Sequence, residues 1–293
     1  GLNGAPPISI VTGRRRHATV DRALRLLGLG TDSMVEVEVD DQGRAVLDSF
    51  VAAVDRPGPL IAIVQAGEVN TGSFDPIAGI VDAVHARSGW VHVDGAFGLW
   101  AMAAGDPLAQ LAAGAESADS WAFDAHKWLN VPYDSGIAAC ADPAAHRAAM
   151  SYHGDYLAPT GTEYDAMDYV PDASRRLRGL AVYAALRSLG RSGVADLVER
   201  CCALARRFAA GLEAMPGVEI LNDVVLNQVL FAVGDRTSEV LAEVQASGET
   251  WMGATIWNDS PAIRISVSSW ATTEADVDRS LVAIRSAVKS VAG

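Results

Sequence analysis

The amino-acid sequence predicts an α/β protein: a mostly parallel central sheet flanked by helices, followed by a smaller C-terminal α+β domain. Three observations predict it. Short β-branched runs alternate with amphipathic helical patterns through the first half, as in parallel strands joined by helices. With 293 residues, half of them hydrophobic, the chain can bury one sizeable core and a second lobe. The alternation then stops, giving way to two long helical patterns and a mixed tail.

In order, the strands are expected at residues 8–12, 34–39, 60–65, 90–94, 120–123 and 136–140. Between them, HATVDRALRLLG, GRAVLDSFVAAV and DPIAGIVDAVHARSG space their apolar residues as helices do, with Asp75 and Pro76 as a helix start. Residues 151–172, SYHGDYLAPTGTEYDAMDYVPD, have no period, and a loop that long inside an enzyme is usually functional. Helices are expected over roughly 174–189 and 194–215. The tail adds strands near 217–221, 226–233 and 262–267 and a last helix from Glu274. The domains expected are 1–190, the large one, and 191–293, the small one. There is no internal repeat and no low-complexity segment.

A net charge of −13 opposes nucleic acid and anionic lipid, and Arg14-Arg15-Arg16 is too short to make a basic patch. Small-molecule chemistry is the better expectation, with no metal ligand set. Cys140, Cys201 and Cys202 make no disulfide framework and read as structural thiols in a reducing cytoplasm. No apolar run is long enough to span a bilayer, and the arginines follow the apolar ISIVT, the wrong order for a secretory signal.

The segment ADSWAFDAHKWLNVPYDSG, residues 118–136, sets Lys127 among residues that look bound for the interior. A buried lysine is costly unless paired or neutral, and burial lowers its pKa toward the range of a nucleophilic amine, which is how Schiff-base lysines are prepared. Upstream, WVHVDGAFG is a strand ending in Asp94. In open α/β sheets ligands bind outside the carboxyl ends of strands, so Asp94 and Lys127 are placed to face one crevice. An amine and a carboxylate converging there suit pyridoxal phosphate, the amine forming the imine and the carboxylate keeping the ring nitrogen protonated. A structural Asp–Lys ion pair, or a lysine that snorkels to the surface, is the competing reading.

HVDGAFG, ADSW…DAHKWL and GEVNTGSFDPI together resemble the group II pyridoxal-phosphate-dependent amino acid decarboxylases, which have the aspartate aminotransferase fold, fold type I. The resemblance runs from about Ile8 to the SRRLRGL segment near Arg176. It implies pyridoxal 5'-phosphate as cofactor, Lys127 as the Schiff-base lysine, Asp94 as the partner of the ring nitrogen and Ala96 against one ring face. It implies His17 on the other face, contacting the substrate carboxylate, and Asn70 near the ring hydroxyl. Ser120 and His126 would lie beside the cofactor, His126 near the phosphate, and Tyr156 would be a loop proton donor. A homodimer follows from the same resemblance.

Two departures stand out. Gly95 replaces the alanine of the usual HVDAA and leaves more room at a cofactor-adjacent turn. The family also carries a long segment before the position of Ile8, including the small-residue loop that grips the phosphate; GLGTD at 28–32 fits a helix C-cap instead. A trimmed or partial chain that holds the cofactor poorly is therefore expected. The expected function is decarboxylation of an L-amino acid, with the loop tyrosines and Trp100 tilting toward an aromatic substrate. The alternatives are a pyridoxal-phosphate-dependent aldehyde synthase or carbon–carbon lyase, and a non-catalytic scaffold fragment.

Overall fold

The computed structural model describes residues 2–152, 165–172 and 174–292. The alternating first half folds as β1 (Ser9–Gly13), α1 (Ala18–Leu26), β2 (Met34–Val37), α2 (Leu47–Val54), β3 (Leu60–Gln65), α3 (Ile77–His85), β4 (Trp90–Asp94), β5 (Ser120–Asp124) and β6 (Gly136–Cys140). These strands form one sheet in the order β2-β1-β3-β4-β5-β6, parallel throughout except for the antiparallel edge strand β6. Successive side chains of a strand point to opposite faces, so register decides which residues meet. Ile61 pairs with Trp90, Ile63 with His92 and Gln65 with Asp94, and His92 then pairs with Ser120. One face of the sheet sends Ala62, Val64, Val91 and Val93 into the main core against Phe50 of α2 and Ile77, Ile80 and Val84 of α3.

The chain continues through α4 (Pro143–Met150), α5 (Arg178–Glu213), β7 (Glu219–Ile220), β8 (Gln228–Ala232), α6 (Thr237–Ser247), β9 (Gly253–Trp257), β10 (Ser260–Ser266) and α7 (Glu274–Ala292). The two long helices expected around residue 190 are the two arms of α5, broken where Gly190 adopts φ 64° and ψ −178°, a left-handed φ that suits glycine. The four tail strands form an antiparallel sheet in the order β7-β8-β10-β9. A two-residue turn joins β9 to β10, with Asn258 and Asp259 both at positive φ, the geometry that matches strand twist.

Three elements were absent from the expected pattern. Helix α4 buries no residue, so it has no apolar stripe to read; its start is fixed by Asp142, which accepts from Ala144 N and Ala145 N. Strand β9 is an edge strand that exposes Ala254 and Ile256. Helix α6 buries Val240, Leu241 and Val244, a narrow stripe in a short segment. The main hydrophobic cluster runs without a break from β3 and β4 through Cys201, Leu204 and Phe208 of α5 to Phe231, Ile263 and Ile284.

Candidate active site

The face of the first sheet turned away from the main core carries a cavity of about 580 Å³, closed on one side by α1. Alternation along β3, β4 and β5 places Ile61, Ile63 and Gln65, then Trp90, His92 and Asp94, then Ser120, Ala122 and Asp124 on its floor. Toward α1 the lining is apolar, with Ile10, Val20 and Leu24. At the carboxyl ends of the strands it is polar, and His17, Asp94, Ala96 and Lys127 all reach it there. The loops after β3 and β4 pass in close contact: a Cβ on Gly98 would fall 2.2 Å from the Ala66 carbonyl oxygen, so only glycine fits.

Lys127 stands in the turn after β5. The interior position suggested by its sequence context goes to its neighbours Ala125, Trp128 and Leu129, which are buried, while the lysine side chain stays 39% exposed. Its Nζ lies 3.1 Å from Asp124 Oδ2, and the same oxygen is 3.7 Å from His126 Nε2. The lysine is thus paired, but with Asp124 rather than with Asp94. Asp94 Oδ1 accepts from the Ala96 backbone N at 3.3 Å, fixing the turn that presents Ala96.

His17 is the N-cap of α1: its Nδ1 accepts from Thr19 N at 3.3 Å and lies 2.7 Å from Thr19 Oγ1. Ser120 also lines the cavity, with Oγ 2.8 Å from the donating Trp90 Nε1 and 2.9 Å from His92 Nδ1. Burial pushes the His92 imidazole below its ordinary pKa, against a weaker upward pull from Asp94, so it is a neutral hydrogen-bonding group at neutral pH.

Two of the expected site residues lie off the cavity lining. The GEVNTGS turn folds back on the buried Glu68, whose Oε2 accepts from Asn70 N and Thr71 N. The Asn70 side chain is spent on Glu68 Oε1 and on Thr255 of β9, which donates to Asn70 Oδ1 at 2.8 Å. His126 Nδ1 faces the Ser135 backbone, 3.1 Å from N and 3.0 Å from O, and its ring packs on Tyr133 at a centroid distance of 4.1 Å. Tyr156 lies outside the described residues.

Gln65, His92 and Asp124 were missed by the sequence reading, although a signal existed for each. Period two backward from Asp94 puts His92 on the same face, register pairs Gln65 with Asp94, and Asp124 precedes Lys127 by three residues across a tight turn. Among the described residues, no group of three or more His, Cys, Asp or Glu is placed to hold a metal ion, and no helix is long and apolar enough to cross a membrane.

Comparison with known proteins gives one consistent picture. A family model described as the pyridoxal-dependent decarboxylase conserved domain matches residues 6–234. Among curated proteins, aspartate 1-decarboxylase of Aliivibrio fischeri is 26% identical over 221 residues, covering 74% of this chain and 40% of that protein. Cysteine sulfinic acid decarboxylase of Homo sapiens is 25% identical over 241 residues, covering 79% and 49%. The chain therefore spans about half the length of these relatives or less. Among solved structures, Oryza sativa TDC with PLP and tryptamine superposes with a TM-score of 0.93 at 18% identity, covering all of this chain and 65% of that one. Mouse CSAD superposes with a TM-score of 0.86 at 22% identity, covering 98% and 65%. At those identities the superpositions establish the fold, which is fold type I.

Proposed function

The chain belongs to the pyridoxal-dependent decarboxylase family, and from that premise we propose that it carries the lysine-bearing part of a carboxy-lyase that removes CO2 from an L-amino acid. The observation that supports this best is the meeting of Lys127 and Asp94, from the ends of adjacent parallel strands, at the polar end of one cavity. The donor set there fits pyridoxal 5'-phosphate: one primary amine for the aldehyde, one carboxylate for the ring nitrogen, and a small side chain and an imidazole for the two ring faces. When bound, that cofactor supplies the electron-accepting ring that takes up the pair released with CO2.

The protein residues then have separate tasks. Lys127 would anchor the cofactor through its amine, and Asp124, 3.1 Å away, holds or receives a proton at Nζ. Asp94 would keep one proton on the ring nitrogen. Ala96 leaves space for a flat ring, with His17 opposite and toward the substrate carboxylate. Ser120 and His92, bound to each other, fix the polar floor. The apolar wall of Ile10, Val20 and Leu24 keeps water from that side. Tyr156 is the proposed proton donor to the product carbon, a role typically worth about 10²–10⁴-fold; the Tyr156→Phe variant should form amine more slowly by that order, and an unchanged rate would remove Tyr156 from the reaction.

The assignment of Lys127 is tested by borohydride reduction in the presence of pyridoxal phosphate, followed by peptide mapping. The pyridoxyl group is expected on Lys127; a label confined to Lys289, the only other lysine, would overturn it. We also read the protein as a cytoplasmic homodimer. Its three cysteines are free, in keeping with a reducing compartment, and Leu177, Leu180 and Tyr183 project exposed from the start of α5. Sedimentation of an active protein as a stable monomer would refute the dimer.

A further inference from the structure

The Arg14-Arg15-Arg16 run before His17 has no part in the chemistry above, yet it holds the β1–α1 turn in place. Arg14 N donates to Val37 O of β2, and the Arg16 guanidinium binds Asp21 Oδ1 at 2.6 Å and Glu36 Oε1 at 2.7 Å, all within the first sheet and its first helix. Arg15 reaches elsewhere. Its Nη2 donates to Asn258 Oδ1 at 2.7 Å, and its guanidinium carbon sits 4.1 Å from the ring centroid of Trp257. Trp257 is 4% exposed and Asn258 opens the β9–β10 turn, so the guanidinium lies on a fixed plate in the second sheet. From the cavity side, Gln65 Nε2 donates to the Arg15 carbonyl oxygen at 3.3 Å.

We propose that Arg15 is a positioning residue, through which the β9–β10 turn of the second sheet fixes the His17 ring at the cavity. Only Arg16 separates Arg15 from His17, the N-cap of α1, so a turn released from Trp257 and Asn258 moves the imidazole directly. The cofactor half of the test rests on the decarboxylase reading; the His17 half does not.

The test uses the whole chain with Arg15→Ala, Arg15→Lys, Asn258→Gly and Trp257→Phe. The first readout is the NMR signal of the His17 imidazole, assigned by its loss in His17→Gln. The second is the affinity for pyridoxal phosphate and the visible circular dichroism of the bound cofactor. Arg15→Ala should shift the His17 signal and weaken the cofactor by about ten-fold, with a loss below about two-fold in a His17→Ala background, since both changes act on one ring. Arg15→Lys, which keeps the charge but not the planar face, should follow Arg15→Ala; Trp257→Phe, which keeps a ring, should resemble the parent. Asn258→Gly, which suits the positive φ, should move the same signal by less. An unmoved His17 signal in a folded Arg15→Ala protein, or an undiminished loss in the His17→Ala background, overturns the proposal. If the parent binds too little cofactor for the second readout, the His17 signal alone decides the proposal.

Discussion

The two faces of strands β3, β4 and β5 share one backbone ladder and do opposite work. Ala62, Val64, Val91 and Val93, all at 0% exposure, face the main core; Gln65, His92, Asp94, Ser120 and Asp124 face the cavity. One face supplies the apolar burial that holds the sheet rigid, and the other uses that rigidity to keep polar groups at fixed spacing. Residues adjacent in sequence should therefore fail in different ways when altered.

The strongest way to break this division is Lys127→Ala. Activity should fall at least about 10³-fold, the loss typical of a removed nucleophile, while the melting temperature stays within about 2 °C of the parent. A large drop in melting temperature would mean that the cavity face is structural too. Val93→Ala, one residue from Asp94 but on the other face, should cost about 2 kcal/mol in denaturant unfolding and leave turnover per folded molecule unchanged. A kinetic defect at full stability would erase the distinction.

The smaller effect concerns a carboxylate beneath the core face. Asp75 is buried and accepts from Ala45 N and Gln65 N, both at 2.7 Å. Burial pushes its pKa up from 3.8 to about 6, against those two bonds and with added repulsion from Asp40 and Glu68. The folded state thus holds this proton more tightly than the unfolded chain does. The resulting stability is complete below pH 3.8 and is lost as pH rises through about 6. The melting temperature should show that decline, and Asp75→Asn should remove it; an identical pH profile in the variant would exclude Asp75 as the cause.

How far the sequence could be read follows from the same physics. The strands of the first sheet were legible because each is a short apolar run between helical patterns. The placement of Lys127 and Asp94 beside strand ends was legible because a charge at the end of such a run is conspicuous. Asp124 and His92 passed unnoticed, since their meaning depends on which face they share with Asp94. That Asn70 lies off the cavity lining was hidden for a different reason: besides the nearby Glu68, the partner of its side chain is Thr255, 185 residues away, on an edge strand too exposed to be recognised. Pairings of that kind are properties of the tertiary fold and leave no local pattern.

The unbroken hydrophobic cluster that threads from β3 through the second arm of α5 to β8, β10 and α7 has a consequence for how the molecule comes apart. Leu204 and Phe208 belong to the same packed mass as Val93 on one side and Phe231 on the other, so neither sheet has a complete interior of its own. The two sheets should melt in a single cooperative transition, with amide protons in β4 and β8 exchanging at one common free energy.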